Sequence, residues 1–310
     1  MKKWLIGIAI VLAVAIAAVY VLIPGTLRIV CIGPAKCNAN GAARILVQQE
    51  IWQSGWKRGG SDRKDEFSGY GIRVGGTAFH VMDLYLERGR DTLLSRLSVL
   101  NIAGMADSVA LDWRCQFVTS LNPLKRVEQY RQAVSVKQMM DTVLSRIRGV
   151  LQKTENIYKI PMVDSMSNDS VLLTVRFHTS AYPSTADIYK RVASIRKYIA
   201  QEGACAINYP MLHVSKQGDE GFDVMVAISV DRRLNGNDQI VPKRYVPWKI
   251  MVGEVKGGPW SAEQGMRYLQ QYVSDHQKPA MGLPFQSMVT ERDKEPDTSR
   301  WITRVVQAVP

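Results

Sequence analysis

Residues 4–23, WLIGIAIVLAVAIAAVYVLI, form an unbroken apolar run without a charge. At a rise of about 1.5 Å per helical residue this run spans a hydrocarbon layer of roughly 30 Å, so the pattern predicts a membrane helix or an export signal. The run ends Tyr20-Val21-Leu22-Ile23-Pro24 with no small-residue cleavage site, which favours an uncleaved anchor over residues 1–25. Lys2 and Lys3 precede it and the next basic residue is Arg28; the positive-inside bias therefore predicts a single pass with the N-terminus cytoplasmic and the remaining chain extracytoplasmic.

After the Pro24-Gly25 break the pattern changes to short periodic segments. Residues 26–30 read as a strand, and Asn38 or Asn40 is placed to cap a helix carrying Ala43, Leu46, Val47 and Ile51 and ending near Trp52 and Trp56. Gly59, Gly60 and Ser61 open a polar, highly charged loop. In SVALDWRCQFV, the apolar Val109, Leu111, Trp113, Cys115 and Phe117 alternate with Asp112, Arg114 and Gln116, the period of a half-buried strand. Residues 67–74, 77–87 and 92–100 give further strands, divided by Gly75-Gly76 and by Gly89, as in an antiparallel meander. Past the Asn122-Pro123 break, Val127, Tyr130, Val134, Met140, Leu144, Ile147 and Leu151 predict a long amphipathic helix over about residues 124–155. A helix laid across a curved antiparallel sheet leaves a cavity that suits an apolar ligand. Residues 26–155 are thus expected to form one domain.

Residues 156–310 contain an internal repeat. In the first copy VLLTVRF (residues 171–177) leads to Tyr182-Pro183-Ser184 and a helix carrying Ile188, Val192, Ile195 and Ile199. In the second, KIMVGEV (residues 249–255) leads to Pro259-Trp260-Ser261 and a helix carrying Ala262, Met266, Leu269 and Val273, with the same spacing of four, three, four. Ser184 to Asp187 and Ser261 to Gln264 each fit a capping box. Pro210-Met211-Leu212-His213 and Pro284-Phe285-Gln286-Ser287 follow, and each copy closes in a strand. The fold class expected is α+β: a transmembrane helix, an antiparallel sheet gripping a helix, then a duplicated strand-helix-strand-strand domain. Its helices should share one side of the sheet, leaving a groove at the centre of the opposite face.

The formal net charge of +12 raises the possibility of nucleic acid, but Arg114, Arg126, Lys153, Arg176 and Lys256 are scattered and not interleaved with aromatics, so a basic surface beside anionic lipid headgroups is the milder reading. Of the four cysteines, Cys31 and Cys37 in CIGPAKC could pair in an oxidising compartment, while Cys115 and Cys205 read as buried thiols. None has metal spacing, the four histidines His80, His178, His213 and His276 are isolated, and no cofactor motif is present. GEVKGGPWSAEQG has the strand, glycines and helix of a phosphate loop, but it lacks the Lys-Ser/Thr pair, and Pro259 removes a donor amide. No nucleophile elbow, Cys-His pair or paired-carboxylate motif occurs.

The duplicated unit, the segment Val255-Lys256-Gly257-Gly258-Pro259-Trp260, the helix end Tyr268-Leu269-Gln270-Gln271-Tyr272, Pro284-Phe285-Gln286 and the closing Thr303-Arg304-Val305-Val306 resemble the GyrI-like small-molecule-binding domain, also found as the effector-binding domain of AraC-type regulators. Residues 26–155 resemble the SRPBCC (START-like, polyketide cyclase) helix-grip superfamily through the first strand, Trp52 and Trp56, the Leu121-Asn122-Pro123 break and the long final helix. These resemblances imply cavities for hydrophobic or cationic small molecules. The position two after Pro284, commonly acidic in the GyrI-like pattern, is here Gln286, which neither attracts a cation as a carboxylate does nor acts as a general base. Glu254 could supply a replacement charge or be a solvated strand carboxylate. Trp260, Tyr182, Tyr268, Tyr272 and Phe285 are candidates for the groove because aromatics give stacking surface with a polar edge; core packing is the alternative for each. The expected function is membrane-anchored, non-catalytic binding of a small hydrophobic or amphiphilic ligand. A hydrolase with Glu254 as acid or base, or an envelope interaction module, are the alternatives.

Overall fold

The computed structural model describes residues 2–54, 69–167, 171–244 and 246–310. It is α+β with two antiparallel sheets, and the chain divides into two compact units, Met1–Lys153 and Thr154–Pro310.

The first unit opens with α1 (Lys2–Leu22), whose apolar side chains, Trp4, Val11 and Val21 among them, are exposed. The expected transmembrane helix is not upheld: among the described residues no helix is long and apolar enough to cross a membrane. The single-pass placement with extracytoplasmic domains falls with it.

Next come β1 (Thr26–Ala35), α2 (Ala39–Leu46), α3 (Gln49–Ser54), β2 (Gly71–Ala78), β3 (Val81–Arg88), β4 (Asp91–Ile102), β5 (Met105–Val118) and α4 (Pro123–Leu151). Asn38 caps α2 by accepting the amide of Asn40, and Trp52 ends buried in α3, its indole donating to the Leu46 carbonyl at 2.8 Å. Trp56, the loop from Gly59, Gly60 and Ser61, and the start of the strand expected at residue 67 lie outside the described residues. The sheet order β1-β5-β4-β3-β2 is a meander closed by the first strand. Alternation along β5 buries Val109, Leu111, Trp113 and Cys115, and Trp113 meets Trp52 edge-on at 5.9 Å between centroids. The Trp113 indole donates to Ser95 Oγ, which donates to the Leu84 carbonyl, so the polar edge of the core is satisfied. Gly75-Gly76 does not divide strands: the pair forms a bulge within β2, where a Cβ on Gly75 would lie 2.5 Å from Tyr85 Cε2, and the turn falls at Phe79-His80. Asn122 caps α4, which lies across β1 where Gly33 leaves room for Leu144 and Arg148. All four cysteines are free; burial pushes the thiols of Cys31, Cys37 and Cys115 up to about 12, and Cys205 is exposed, not buried as its sequence context suggests.

The second unit runs α5 (Thr154–Tyr158), β6 (Met162–Met166), β7 (Val171–Thr179), α6 (Thr185–Gln201), β8 (Met211–Lys216), β9 (Phe222–Val230), β10 (Val241–Arg244), β11 (Lys249–Lys256), α7 (Pro259–Asp275), β12 (Phe285–Met288) and β13 (Ile302–Ala308). The sheet order β10-β7-β9-β8-β12-β13-β11-β6 reads as two equivalent halves meeting where β8 pairs with β12, through Leu212 with Gln286 and Met211 with Ser287. Period two then sorts the side chains. Leu173, Val226, Leu212, Met288 and Val305 face the helices; the first four join Ile188, Val192, Ile195 and Ile199 of α6 in one core. α7 approaches β11 closely at Gly265, where a Cβ would lie 2.5 Å from Val255 Cγ1.

The two helix starts differ. Ser184 Oγ accepts the amide of Asp187 at 3.1 Å, as its capping box requires. α7 instead begins at Pro259 with Gly258 as N-cap and no side-chain cap, so Ser261 lies inside the first turn and does not cap it. Gly257, with φ at +127°, makes the turn before it in a region that disfavours a side chain.

Candidate functional site

The open face of the second unit's sheet, away from α6 and α7, carries a cavity of about 500 Å³. Register places Ile250, Val252 and Glu254 of β11, Arg304 and Val306 of β13, Phe285 and Ser287 of β12 and Met211 of β8 on that face, and β6 adds Val163 and Ser165. Aliphatic and aromatic side chains share the lining with polar ones, among them Ser165, Ser167, Asn208 and Ser287. Phe285, half-buried, packs against Leu172, Met211 and Ala227. The charged groups are Glu254, whose Oε2 accepts from Arg304 Nε at 3.2 Å, and Asp164, 3.8 Å from Lys278 Nζ. Both pairs are substantially exposed, so their attraction is screened and orients more than it stabilises.

Glu254 and Phe285 therefore come together at the cavity. Gln286, their neighbour in the motif, points to the helix face and is 6 % exposed. Its Nε2 lies 3.4 Å from Tyr182 Oη, a long bond, and among the described residues its Oε1 has no partner. Tyr182 packs edge-on against Phe222 at 5.8 Å, and burial raises its hydroxyl above the ordinary range. The candidate set thus splits into two pairs on opposite faces of the sheet.

The other three are placed elsewhere. Trp260 stands in the first turn of α7, 71 % exposed. Tyr268 is half-buried on the same helix. Tyr272 is buried, edge-on to Tyr158 at 5.0 Å and stacked with His276 at 3.9 Å. None of the three lines the open-face cavity.

Two arginines escaped sequence reasoning as functional candidates. Arg304 had appeared as part of a closing motif, and only the register with β11 sets it opposite Glu254. Arg292 follows β12 within the charged stretch Glu291-Arg292-Asp293-Lys294-Glu295, yet it is 5 % exposed. Its Nη2 donates to Thr303 Oγ1 at 2.8 Å, its guanidinium lies 5.0 Å from the Trp301 ring centroid, and its Nε has no partner among the described residues. Burial lowers its proton affinity from the ordinary value, and the backbone amide of Arg292 donates to Tyr189 Oη. No signal in a single sequence marks that burial.

No family model matches the chain, and no curated protein does. Similar solved structures include the cryo-electron microscopy structure of an EcmrR–DNA complex, 20% identical with a TM-score of 0.44 over 59% of this chain and 71% of that one. SAV2435 bound to tetraphenylphosphonium is 14% identical with a TM-score of 0.33 over 48% of this chain and 93% of that one. A hydrolase from Listeria innocua is 8% identical with a TM-score of 0.37 over 48% of this chain and 91% of that one. At these identities and scores the similarities establish neither a shared function nor a shared site.

Proposed function

We propose that residues 156–310 form a GyrI-like small-molecule-binding domain whose open-face cavity takes a small hydrophobic or amphiphilic ligand without transforming it. One observation carries the reading: a cavity of about 500 Å³ whose wall mixes aliphatic, aromatic and polar side chains, with a Glu254–Arg304 pair among them. That volume falls within the roughly 300–1,000 Å³ of small-molecule sites, and a wall with both apolar and polar side chains suits an amphiphilic ligand. The mirrored strand order supports the family assignment, since it is what a duplicated strand-helix-strand-strand unit produces. The hydrolase alternative is disfavoured by Glu254 itself, which is exposed and paired with Arg304 and so lacks the burial that poises a carboxylate as a base. For the first unit an SRPBCC assignment is supported by the order β1, two short helices, four meandering strands and a final helix across β1.

Native mass spectrometry of the full chain tests the binding reading. A co-purified small molecule is expected in the wild type and should be lost in Val252→Trp, which fills the cavity with an indole. A chain that carries no such molecule, and binds neither Nile red nor a fatty acid in titration, contradicts it.

A further inference from the structure

β10 pairs with β7 only from Val171 to Thr174, whereas β9, on the other side, pairs along β7 to Thr179. Among the described residues no strand covers the outer edge of residues 175–179. The chain leading into β10 turns aside to α6, where Tyr198 Oη donates to the Gly236 carbonyl and accepts the Gly236 amide. A second cavity, of about 750 Å³, opens along the edge thus exposed, between β7, α6 and the approach to β10.

Both sides of that edge are basic. On the open face, Lys243 lies opposite Leu172 and extends towards Arg176, its Nζ 3.7 Å from the sulfur of Met225, the residue paired with Arg176. On the helix face stand Lys190 and Arg191, the latter with its guanidinium 4.4 Å from the Phe177 centroid. Two carboxylates oppose them: Asp238 in the cavity wall, and Asp187, 4.0 Å from Arg191 Nη1. Desolvation, and then the charge of Arg176, lower the proton affinity of Lys243.

We propose that the outer edge of β7 accepts an extended acidic peptide segment by strand addition, its backbone pairing with residues 175–179 and its carboxylates reaching the cations on both faces. A strand added to an edge sends alternate side chains to opposite faces, and here each face meets two basic groups. The same charges repel a second copy of this edge, so they select an acidic partner over self-association. A free inorganic anion would use the cations and leave the backbone edge untouched, which separates the two occupants.

The test uses the full chain with a capped peptide of alternating glutamate and threonine, its lysine-threonine counterpart, and inorganic phosphate. Expected are saturable binding of the acidic peptide, no binding of the basic one, and slowed hydrogen exchange of the amides at residues 175–179 in the complex. Arg176→Glu combined with Lys243→Glu should weaken binding about tenfold or more. Lys190→Glu, at an exposed helix position where folding is not at stake, should weaken it by a smaller factor. Binding that leaves those amides unprotected, that phosphate displaces completely, or that persists unchanged in both variants overturns the proposal, as does failure of the acidic peptide to bind.

Discussion

In the second half of the eight-stranded sheet, β6 covers the outer edge of β11 from Lys249 to Gly253, and Ile160 in the approach to β6 packs over Gly253. In the first half the matching strand, β10, covers only four residues of β7 and the chain before it turns away. The helices carry the same contrast: Tyr272 of α7 is sealed beneath Tyr158 of α5, whose hydroxyl donates to Asp275, while Tyr198 of α6 holds a loop. Duplication supplies the same core twice, and the segments added at the outer edges, five paired residues on β11 and four on β7, differ in what they pack over and in which face keeps a cavity. Gly253 and Gly265 belong to the covered half, where close approach excludes side chains. The first half has Val175 and Arg191 at the equivalent places and keeps its cavity.

The cores should respond alike, and this gives the largest effects. Ile195 and Leu269 are each 0 % exposed at equivalent helix positions, so Ile195→Ala and Leu269→Ala should each cost about 2–5 kcal/mol in denaturant unfolding. A neutral result for either would break the equivalence of the halves. The edges should respond differently: Gly253→Val places a Cβ 2.7 Å from Ile160 Cδ1 and 3.2 Å from Val305 Cγ2, and should cost about 1–3 kcal/mol through overpacking. The helix caps come next. Ser184→Ala removes the bond to the Asp187 amide and should cost about 1 kcal/mol, whereas Ser261→Ala, which removes no cap, should stay within about 0.5 kcal/mol.

The smallest effect concerns His178 near the end of β7. The Asp223 carboxylate and then the Glu220 carbonyl raise its proton affinity, so its contribution is fully present below the unfolded-state pKa and is lost as pH rises through the higher folded value. In Asp223→Asn the titration midpoint of His178, followed by proton resonance, should fall towards that of an ordinary histidine. An unmoved midpoint would remove Asp223 as the cause.

Much of the comparison was legible in the sequence because period alone carries it. Alternation in β5 and β9, the four-three-four spacing of both helices and the capping box at Ser184 each depend on local physics that a single chain displays. The bulge at Gly75-Gly76 was not legible, since glycine pairs serve turns and bulges equally. Gly258-Pro259 and Ser261 are competing start signals for α7, and proline in the first turn prevailed over the serine cap. Reading Phe285 and Gln286 into one groove overlooked that neighbours on a strand face opposite ways; only the register of β12 shows which of them meets the cavity. β6 and β10, which set the two halves apart, are short and show no clean alternation, so their pairing depends on partners distant in sequence.

The claim that the open-face cavity is a binding site is tested most directly by titrating the full chain with Nile red beside Val252→Trp and the exposed control Trp260→Ala. Saturable binding in the wild type and in Trp260→Ala, weakened about tenfold or more when the indole occupies the cavity, is the expected result. Equal binding in all three proteins, or none in the wild type, would contradict it.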